Sequence, residues 1–267
     1  VSLWRAALVG ILVKVFRPKM KVVLFIHSEK DTHFFDFLIT RLALLSCQEI
    51  WFDSNASSKN RFKFLFKKLN KFILSFNLRN IERKKHGFRK NTPNFIYWGR
   101  ISKDKGLYRA IEIFEGILKY FPKATFKIIG SHQFDYEEIN QYCADRKLTN
   151  SVHFYDEMEF EDIEKLANDS SFYLQTSKFE GFAMSVVESM MMGLVPVVTP
   201  VGEIGRYCNS KNSIMVYSNM EAIRDVVLVL RNNNNFSQMS DLATQTWDGT
   251  IFYKESVIKN CNRLINQ

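Results

Sequence analysis

The chain has 267 residues, of which 46% are hydrophobic and 24% charged, the composition of a globular protein with one large domain or two small ones. That excludes a disordered tail and a collagen-like fibre, and no apolar run reaches the roughly 18 residues of a membrane-spanning helix. The formal net charge of +9 is unevenly spread: residues 1–93 carry 19 Lys+Arg against 6 Asp+Glu, and residues 94–267 carry 18 against 22. A strongly basic segment joined to a mildly acidic one points to two units with different partners.

Taken in chain order, the first apolar run is 6–13, between Arg5 and Lys14. It lacks the basic lead-in and small-residue cleavage site of a signal peptide. The chain starts at Val1 rather than Met, which suggests a trimmed N-terminus. Residues 21–26 read as a strand ending at His27, 34–45 as a helix, and 49–52 as a strand followed by Asp53-Ser54-Asn55. A helix is expected to resume at Lys59. These elements make only part of an α/β unit. From Arg61 to Phe72, Lys and Arg alternate with Phe and Leu. Three readings compete there. The first is an anionic membrane surface, worth roughly 1 kcal/mol per basic residue. The second is nucleic acid, with cations on phosphates and aromatics on bases. The third is a core helix with a solvated basic face. No nucleic-acid-binding motif accompanies the run, so no nucleic-acid partner is expected. The polar stretch 82–93 reads as a linker.

Beyond the linker, β-rich and helical patterns alternate. Strands are expected at 94–98, 124–129, 151–155, 171–175 and 195–199, and helices at 104–121, 136–147, 159–168, 182–192 and 220–232. The segment 232–235 is the only low-complexity one. Alternation of this kind implies a parallel sheet with helices on both faces, and ligands of such sheets bind beyond the carboxyl ends of the strands. Cys47, Cys143, Cys208 and Cys261 have no metal or disulfide spacing, which fits a reducing cytoplasm.

Three clusters fall at those strand ends. Gly99-Arg100 with Lys105-Gly106 places two cations around a strand–helix turn, where a fork and a point charge can grip a diphosphate. Glu180-Gly181-Phe182-Ala183 leads into a helix that carries Val187 and Glu188. Free N–H groups at the start of that helix would face a negative ligand, and Gly181 permits close approach. Two carboxylates eight residues apart, roughly 12 Å along a helix, suit the hydroxyls of two sugars joined by a diphosphate, because ionised carboxylates only accept. The third cluster runs from Gly193 through Pro196-Val197-Val198 to Pro200 and Gly202. Each cluster alone also fits an ordinary loop, helix or strand.

In this order and spacing, the three clusters resemble the second domain of the retaining glycosyltransferases of family 4. These have the GT-B fold, an α/β architecture of two Rossmann-like domains with parallel sheets. The resemblance covers about 94–235. It implies that Arg100 and Lys105 bind the donor diphosphate and that Glu180 holds hydroxyls of the transferred sugar. Gly99, Gly181, Phe182, Ala183 and Val187 would line the donor, and Glu188 would hold the ribose. Gly130 and the loop from Phe154 to Asp156 would lie beside the base, and His27 would face the reacting sugar. No Asp-x-Asp occurs in the chain, and the resemblance implies no metal and no cofactor besides the nucleotide-sugar substrate.

The implied organisation is an incomplete acceptor-side domain at 1–93, a donor domain at 94–235, and a tail at 236–267, including Trp247, that packs back on the first domain. The implied acceptor is a lipid-linked or cell-envelope glycan, reached from the cytoplasmic face of the membrane through residues 1–93. A second reading keeps nucleotide-sugar binding without turnover, as a truncated relic or a partner subunit. Departures from the family pattern lie at Ser131-His132 and Tyr155-Asp156, where glycines are usual, and in the shortness of the first domain.

Overall fold

Two parallel sheets organise the computed structural model, which describes residues 3–26, 34–60, 69–74, 81, 89–132 and 135–266. The chain divides into two units, 1–78 with 251–267 and 79–250. The boundaries fall at 78/79 and 250/251, which puts the segment read as a linker (82–93) and the first part of the segment read as a tail (236–250) with the second unit, and 251–267 with the first.

The first unit runs α1 (Leu3–Phe16), β1 (Val23–Ile26), α2 (Phe34–Ser46), β2 (Glu49–Phe52), α3 (Asn55–Asn60) and β3 (Asn70–Ile73). The strands lie side by side in the order β1-β2-β3, with Val23 opposite Glu49 and Glu49 opposite Asn70. Leu24, Ile26, Ile50 and Phe52 meet Ala7, Ala43, Leu44 and Cys47 in a small core. One element differs from expectation: 70–73 form a strand. The described part of the helix expected from Lys59 is the end of α3. Residues 61–68, the heart of the basic–aromatic run, lie outside the described residues. The apolar run 6–13 is the middle of α1, which is apolar around its circumference rather than along one stripe. It leaves Leu8, Val9, Leu12, Val15 and Phe16 exposed, and α2, which packs on it, exposes Phe34, Phe35, Phe37, Leu42 and Leu45.

The second unit contains β4 (Asn94–Trp98), a 3-10 turn at Lys103–Lys105, α4 (Leu107–Leu118), β5 (Thr125–Ile129), α5 (Tyr136–Asp145), β6 (Val152–Tyr155), α6 (Phe160–Ala167) and β7 (Phe172–Gln175). It continues with α7 (Met184–Met191), β8 (Val195–Val198), α8 (Ile204–Tyr207), β9 (Ile214–Met215), α9 (Asn219–Leu230) and α10 (Asn233–Gln245). All strands are parallel, in the order β6-β5-β4-β7-β8-β9. The chain winds outward from β4 to β6, returns to the other side of β4, and winds outward again to β9, so the strand order reverses between β4 and β7. The helical stripe expected after the first of these strands is present: α4 buries Leu107, Ile111, Phe114 and Ile117. Phe95 stacks on Phe172 with ring centroids 5.1 Å apart, joining β4 to β7. The Asn-rich segment starts α10, where the Asn232 side chain accepts from the Asn235 N–H as an N-cap.

Arg89, read as a linker cation, is buried. Its Nε donates to the Met192 carbonyl at 2.7 Å and its Nη1 to those of Ala167 and Ser170 at 2.5 and 2.7 Å. It thus caps the C-terminal ends of α6 and α7. Burial lowers its pKa to about 10. Cys47, Cys143 and Cys208 are buried thiols, and burial pushes Cys143 and Cys208 up to about 12. The last helix, α11 (Tyr253–Ile265), belongs to the first unit.

Candidate functional site

The loops that follow β4 and β7 meet at the reversal of strand order, where open α/β sheets form their crevice. After β4 come Gly99, Arg100 and the 3-10 turn with Lys105; after β7 come Thr176, Ser177 and Glu180. Gly106 closes the turn with φ 71°, and a Cβ there would sit 1.8 Å from the Thr176 carbonyl oxygen. Only glycine allows this approach. The Thr176 hydroxyl donates to the Gly106 carbonyl at 2.7 Å, and the Lys178 N–H donates to the Asp104 carbonyl at 2.9 Å. From the other side, Asp135 accepts from the Lys103 N–H at 2.7 Å. The turn that carries Lys105 is therefore pinned from two directions.

Glu180 is the centre of this arrangement. Its Oε1 accepts from Lys105 Nζ at 2.8 Å, Gln175 Nε2 at 2.6 Å and Ser177 Oγ at 2.7 Å. The Glu180 side chain is 8% exposed and that of Lys105 19%, so a charged pair is held in a largely dry site, where each bond counts for more than in water. The loop beyond β8 supports it from behind: a Cβ on Gly202 (φ 57°) would lie 1.9 Å from the Glu180 carbonyl oxygen, and the Glu203 N–H donates to the Gly181 carbonyl at 3.0 Å.

Glu188 lies on α7 and is 6% exposed. The Trp98 indole N–H, at the end of β4, donates to its Oε2 at 3.0 Å. Between the two carboxylates stands Tyr173, whose hydroxyl lies 2.5 Å from Gln175 Oε1 and 3.2 Å from the Trp98 carbonyl. Burial first, then the neighbouring Tyr97 hydroxyl, raises the Tyr173 pKa well above the usual phenol range. Tyr97 is buried alongside, and its hydroxyl donates to the Arg100 carbonyl at 2.7 Å. Burial, with the charges of Glu180 and Asp104 behind it, raises its pKa too.

Of the residues singled out in the sequence, the structure brings Lys105 and Glu180 into contact and seats Glu188 behind them on Trp98. Arg100 is on the same loop as Lys105, but its guanidinium is 61% exposed and pairs with Asp104 at 3.5 Å. Burial pushes the Asp104 carboxyl up, but the Ser102 hydroxyl and Arg100 outweigh it and hold the pKa below the usual range. Gly99 and Gly130 are neighbours across the sheet: a Cβ on Gly130 would meet the Gly99 carbonyl at 2.1 Å. A Cβ on Gly181 would meet open space.

The helix expected from 182 starts at Met184. Ala183, at φ 56°, takes the cap position in the left-handed region, the kind of strained backbone that gathers at functional turns. Val186 and Val187 donate back to the Ala183 carbonyl, so the amides of Met184 and Ser185 face off the end of the helix. Phe182 turns its ring to Tyr207 and Trp247, both in this unit. The Val187 side chain is fully buried and serves the core. Phe154 lies inside β6 rather than in a loop, with its ring edge-on to Tyr136, which stacks on His132 at 3.9 Å. His27 lies outside the described residues. Trp98, Tyr173, Gln175 and Ser177 were not singled out in the sequence. Ser177 and Gln175 stand three and five residues before Glu180, but their roles arise from the turn after β7, which brings both side chains onto one Glu180 oxygen.

Residues 79–245 match the family model described as Glycosyl transferases group 1. The GDP-mannose:cellobiosyl-diphosphopolyprenol alpha-mannosyltransferase of Xanthomonas oryzae pv. oryzae is 27% identical over 147 residues, 53% of this chain and 38% of that protein. The poly(glycerol-phosphate) alpha-glucosyltransferase of Bacillus subtilis is 34% identical over 100 residues, 38% of this chain and 14% of that protein. The chain thus matches well under half the length of either relative. Among solved structures, Anabaena Alr3699/HepE in complex with UDP and glucose superposes with a TM-score of 0.80 at 17% identity, covering 99% of this chain and 76% of that one. A TarM mutant of S. aureus, solved with Fondaparinux, alpha-GlcNAc-glycerol and UDP, gives 0.77 at 18% identity, covering 97% and 54%. At such identities the likeness is one of fold, and it matches the two parallel sheets seen here.

Proposed function

The chain belongs to the group 1 glycosyl transferases, and on that premise we propose that it moves a hexose from a nucleoside-diphosphate sugar to a lipid-linked or cell-envelope glycan acceptor, with retention of anomeric configuration. The observation that carries this reading is the Glu180 carboxylate, held on one oxygen by Lys105, Gln175 and Ser177 beside the reversal of strand order. Its second oxygen is an acceptor for hydroxyls of the transferred sugar. Lys105 gives one of its three N–H donors to Glu180, which leaves two for the diphosphate. Arg100 adds a fork on the same loop, and the amides at the start of α7 add partial positive charge. As the glycosidic bond breaks, the sugar gains oxocarbenium character and the diphosphate oxygen gains negative charge. Cations already fixed at that oxygen lower the barrier without reorganising. Glu188 takes the ribose. Gly99 and Gly130 edge the base, with the end of β6 beside them.

The acceptor class has two supports. One relative is named for a polyprenol-diphosphate acceptor and another for a poly(glycerol-phosphate). The first unit combines 16 Lys+Arg against 6 Asp+Glu with the exposed apolar faces of α1 and α2, which suits an anionic membrane surface at the cytoplasmic side. No helix among the described residues is long and apolar enough to cross a membrane.

Thermal unfolding with UDP-, GDP-, ADP- and dTDP-sugars, without added metal, tests the donor site. One donor class should raise the midpoint, by up to about 2.7 kcal/mol of added stability at a hundredfold excess over Kd. Lys105→Ala and Glu188→Ala should each abolish the shift while remaining folded. A folded wild-type protein that no nucleotide sugar stabilises would sink the reading. Stabilisation with donor hydrolysis but no transfer to any acceptor would favour binding without turnover.

A further inference from the structure

The two carboxylates assigned to opposite ends of one donor are joined through the protein interior. From Glu180 Oε1 the path runs to Gln175 Nε2 at 2.6 Å, and from Gln175 Oε1 to the Tyr173 hydroxyl at 2.5 Å. The Tyr173 ring meets the Trp98 indole edge-on, with centroids 4.6 Å apart, and the indole N–H reaches Glu188 Oε2 at 3.0 Å. Each intermediate residue is at most 5% exposed, so water does not compete for these bonds.

The path has a fixed sense. An ionised carboxylate only accepts, and an indole N–H only donates. The buried Tyr173 hydroxyl keeps its proton and donates to the Gln175 oxygen, which also accepts from Ser185 Oγ at 3.1 Å. The Gln175 nitrogen must then face Glu180 and Ser177. Turning the amide over would set its oxygen against the Glu180 carboxylate, two acceptors in contact, and would lose the short bond from the Tyr173 hydroxyl. The orientation of Gln175, and with it the position of Glu180, is therefore locked to that of Tyr173. Tyr173 in turn packs against the side chain that holds Glu188.

We propose that Trp98 is a positioning residue for Glu188, and that Tyr173 and Gln175 couple it to Glu180, so that the sugar end and the ribose end of the donor site are set as one unit. The roles of the two ends rest on the donor-site reading above; the coupling rests on the interior path. Two carboxylates held only by their local neighbours would respond to substitution separately.

The test uses the full chain and two readouts. The four tryptophans give four indole signals in an ¹⁵N–¹H correlation spectrum, and the signal missing in Trp98→Phe is that of Trp98. Gln175→Leu, at the Glu180 end, should displace the Trp98 signal. Calorimetry with the nucleoside diphosphate that stabilises the wild type gives the second readout. Trp98→Phe keeps an aromatic ring but deletes the donor, and should weaken binding about tenfold, as expected for a bond to a charged group. The loss in the Trp98→Phe/Gln175→Leu double variant should differ from the product of the single losses by about threefold or more. Should Gln175→Leu not fold, Tyr173→Phe, which deletes one oxygen, takes its place in both readouts. A Trp98 signal unmoved by either substitution, nucleotide affinity unchanged in Trp98→Phe, or strict additivity would each overturn the proposal. The indole readout needs no nucleotide. A moved signal in a protein that binds no nucleoside diphosphate would uphold the coupling and sink the donor reading, and an unmoved signal in a protein that binds one would do the reverse.

Discussion

The two sheets obey the same parallel rule and offer opposite kinds of surface. In the six-stranded sheet the order reverses between β4 and β7, and the crevice opened there holds Lys105 and Glu180, with Glu188 behind them. The three described strands of the first unit run β1-β2-β3 without a reversal. The end of β2 there is internally satisfied: Ser57 Oγ donates to Asp53 at 3.0 Å, and the Ser54 and Ser57 hydroxyls lie 2.8 Å apart. What that unit presents instead is helix faces, apolar and basic. The comparison teaches that strand order, more than strand direction, decides whether a parallel sheet makes a polar crevice.

The sharpest way to break the comparison is to remove what keeps the second unit closed at the opposite end of its strands. Arg89 is buried without a hydrogen-bonded carboxylate partner and serves three carbonyls. Arg89→Met keeps the apolar bulk and leaves those carbonyls without a donor. The expected cost is about 3 kcal/mol, seen as faster exchange of the slowest amides of β7 and β8. The first unit should be unaffected. A loss below about 1 kcal/mol would mean that the helix ends are satisfied without Arg89.

The first unit holds an arginine differently, in an ion pair whose carboxylate is buried and whose arginine side chain is 30% exposed. Arg263 on α11 grips Glu49 with two bonds of 2.7 and 2.6 Å, the Trp51 indole donates to the same carboxylate at 3.0 Å, and the guanidinium lies 3.7 Å over the Phe72 ring. The hydrogen bond from Arg263, opposed by burial and aided by Trp51, holds the Glu49 pKa below its ordinary value of 4.5. A carboxylate with a lowered folded pKa contributes stability that is complete above the ordinary value and is lost as pH falls through the folded value. Wild-type protection of β2 should therefore fall with pH below about 4.5. Glu49→Gln should cost about 2 kcal/mol at neutral pH and flatten that acid dependence. Hydrogen exchange of the 47–53 peptide, corrected for intrinsic rates, measures both. An unchanged acid dependence in the variant would assign it to other carboxylates.

The same contrast explains what could be read from the sequence. From residue 94 onward, strands buried on both faces and amphipathic helices leave strong periodic signals, so the alternation and the Glu180–Glu188 pair were legible. Nothing in the spacing marks Trp98, Tyr173 or Gln175, because their bonds cross between β4, β7 and α7. Arg89 looked like one more cation of a basic stretch, since burial among helix ends is a tertiary fact. In the first unit, β3 was hidden because its four residues Asn70 to Ile73 are mostly exposed at the edge and carry no alternation. The Asn-rich start of α10 passed for low complexity although it is a cap. Helix α1 passed for a bare apolar run, because a helix that is apolar all round has no 3.6-residue stripe to find.

That last helix gives the smallest expected effect and the finest cut. α1 has no acidic residue, α2 buries its only one, Asp36, and Arg5, Arg17, Lys19 and Lys21 are exposed around the apolar faces. If the face meets lipid, phosphatidylglycerol-containing vesicles should bind the protein more tightly than pure phosphatidylcholine, with the difference shrinking as salt rises. Lys19→Ala should lower partitioning to the anionic vesicles by about fivefold, the equivalent of 1 kcal/mol, and leave the zwitterionic partitioning alone. Phe16→Ser removes apolar area and no charge, so it should weaken both kinds of vesicle by a similar factor. Comparing the two substitutions separates the coulombic share of binding from the apolar share. Equal binding to both vesicles, indifferent to salt and to Lys19→Ala, would mean that the basic charge of this unit serves something other than a lipid surface.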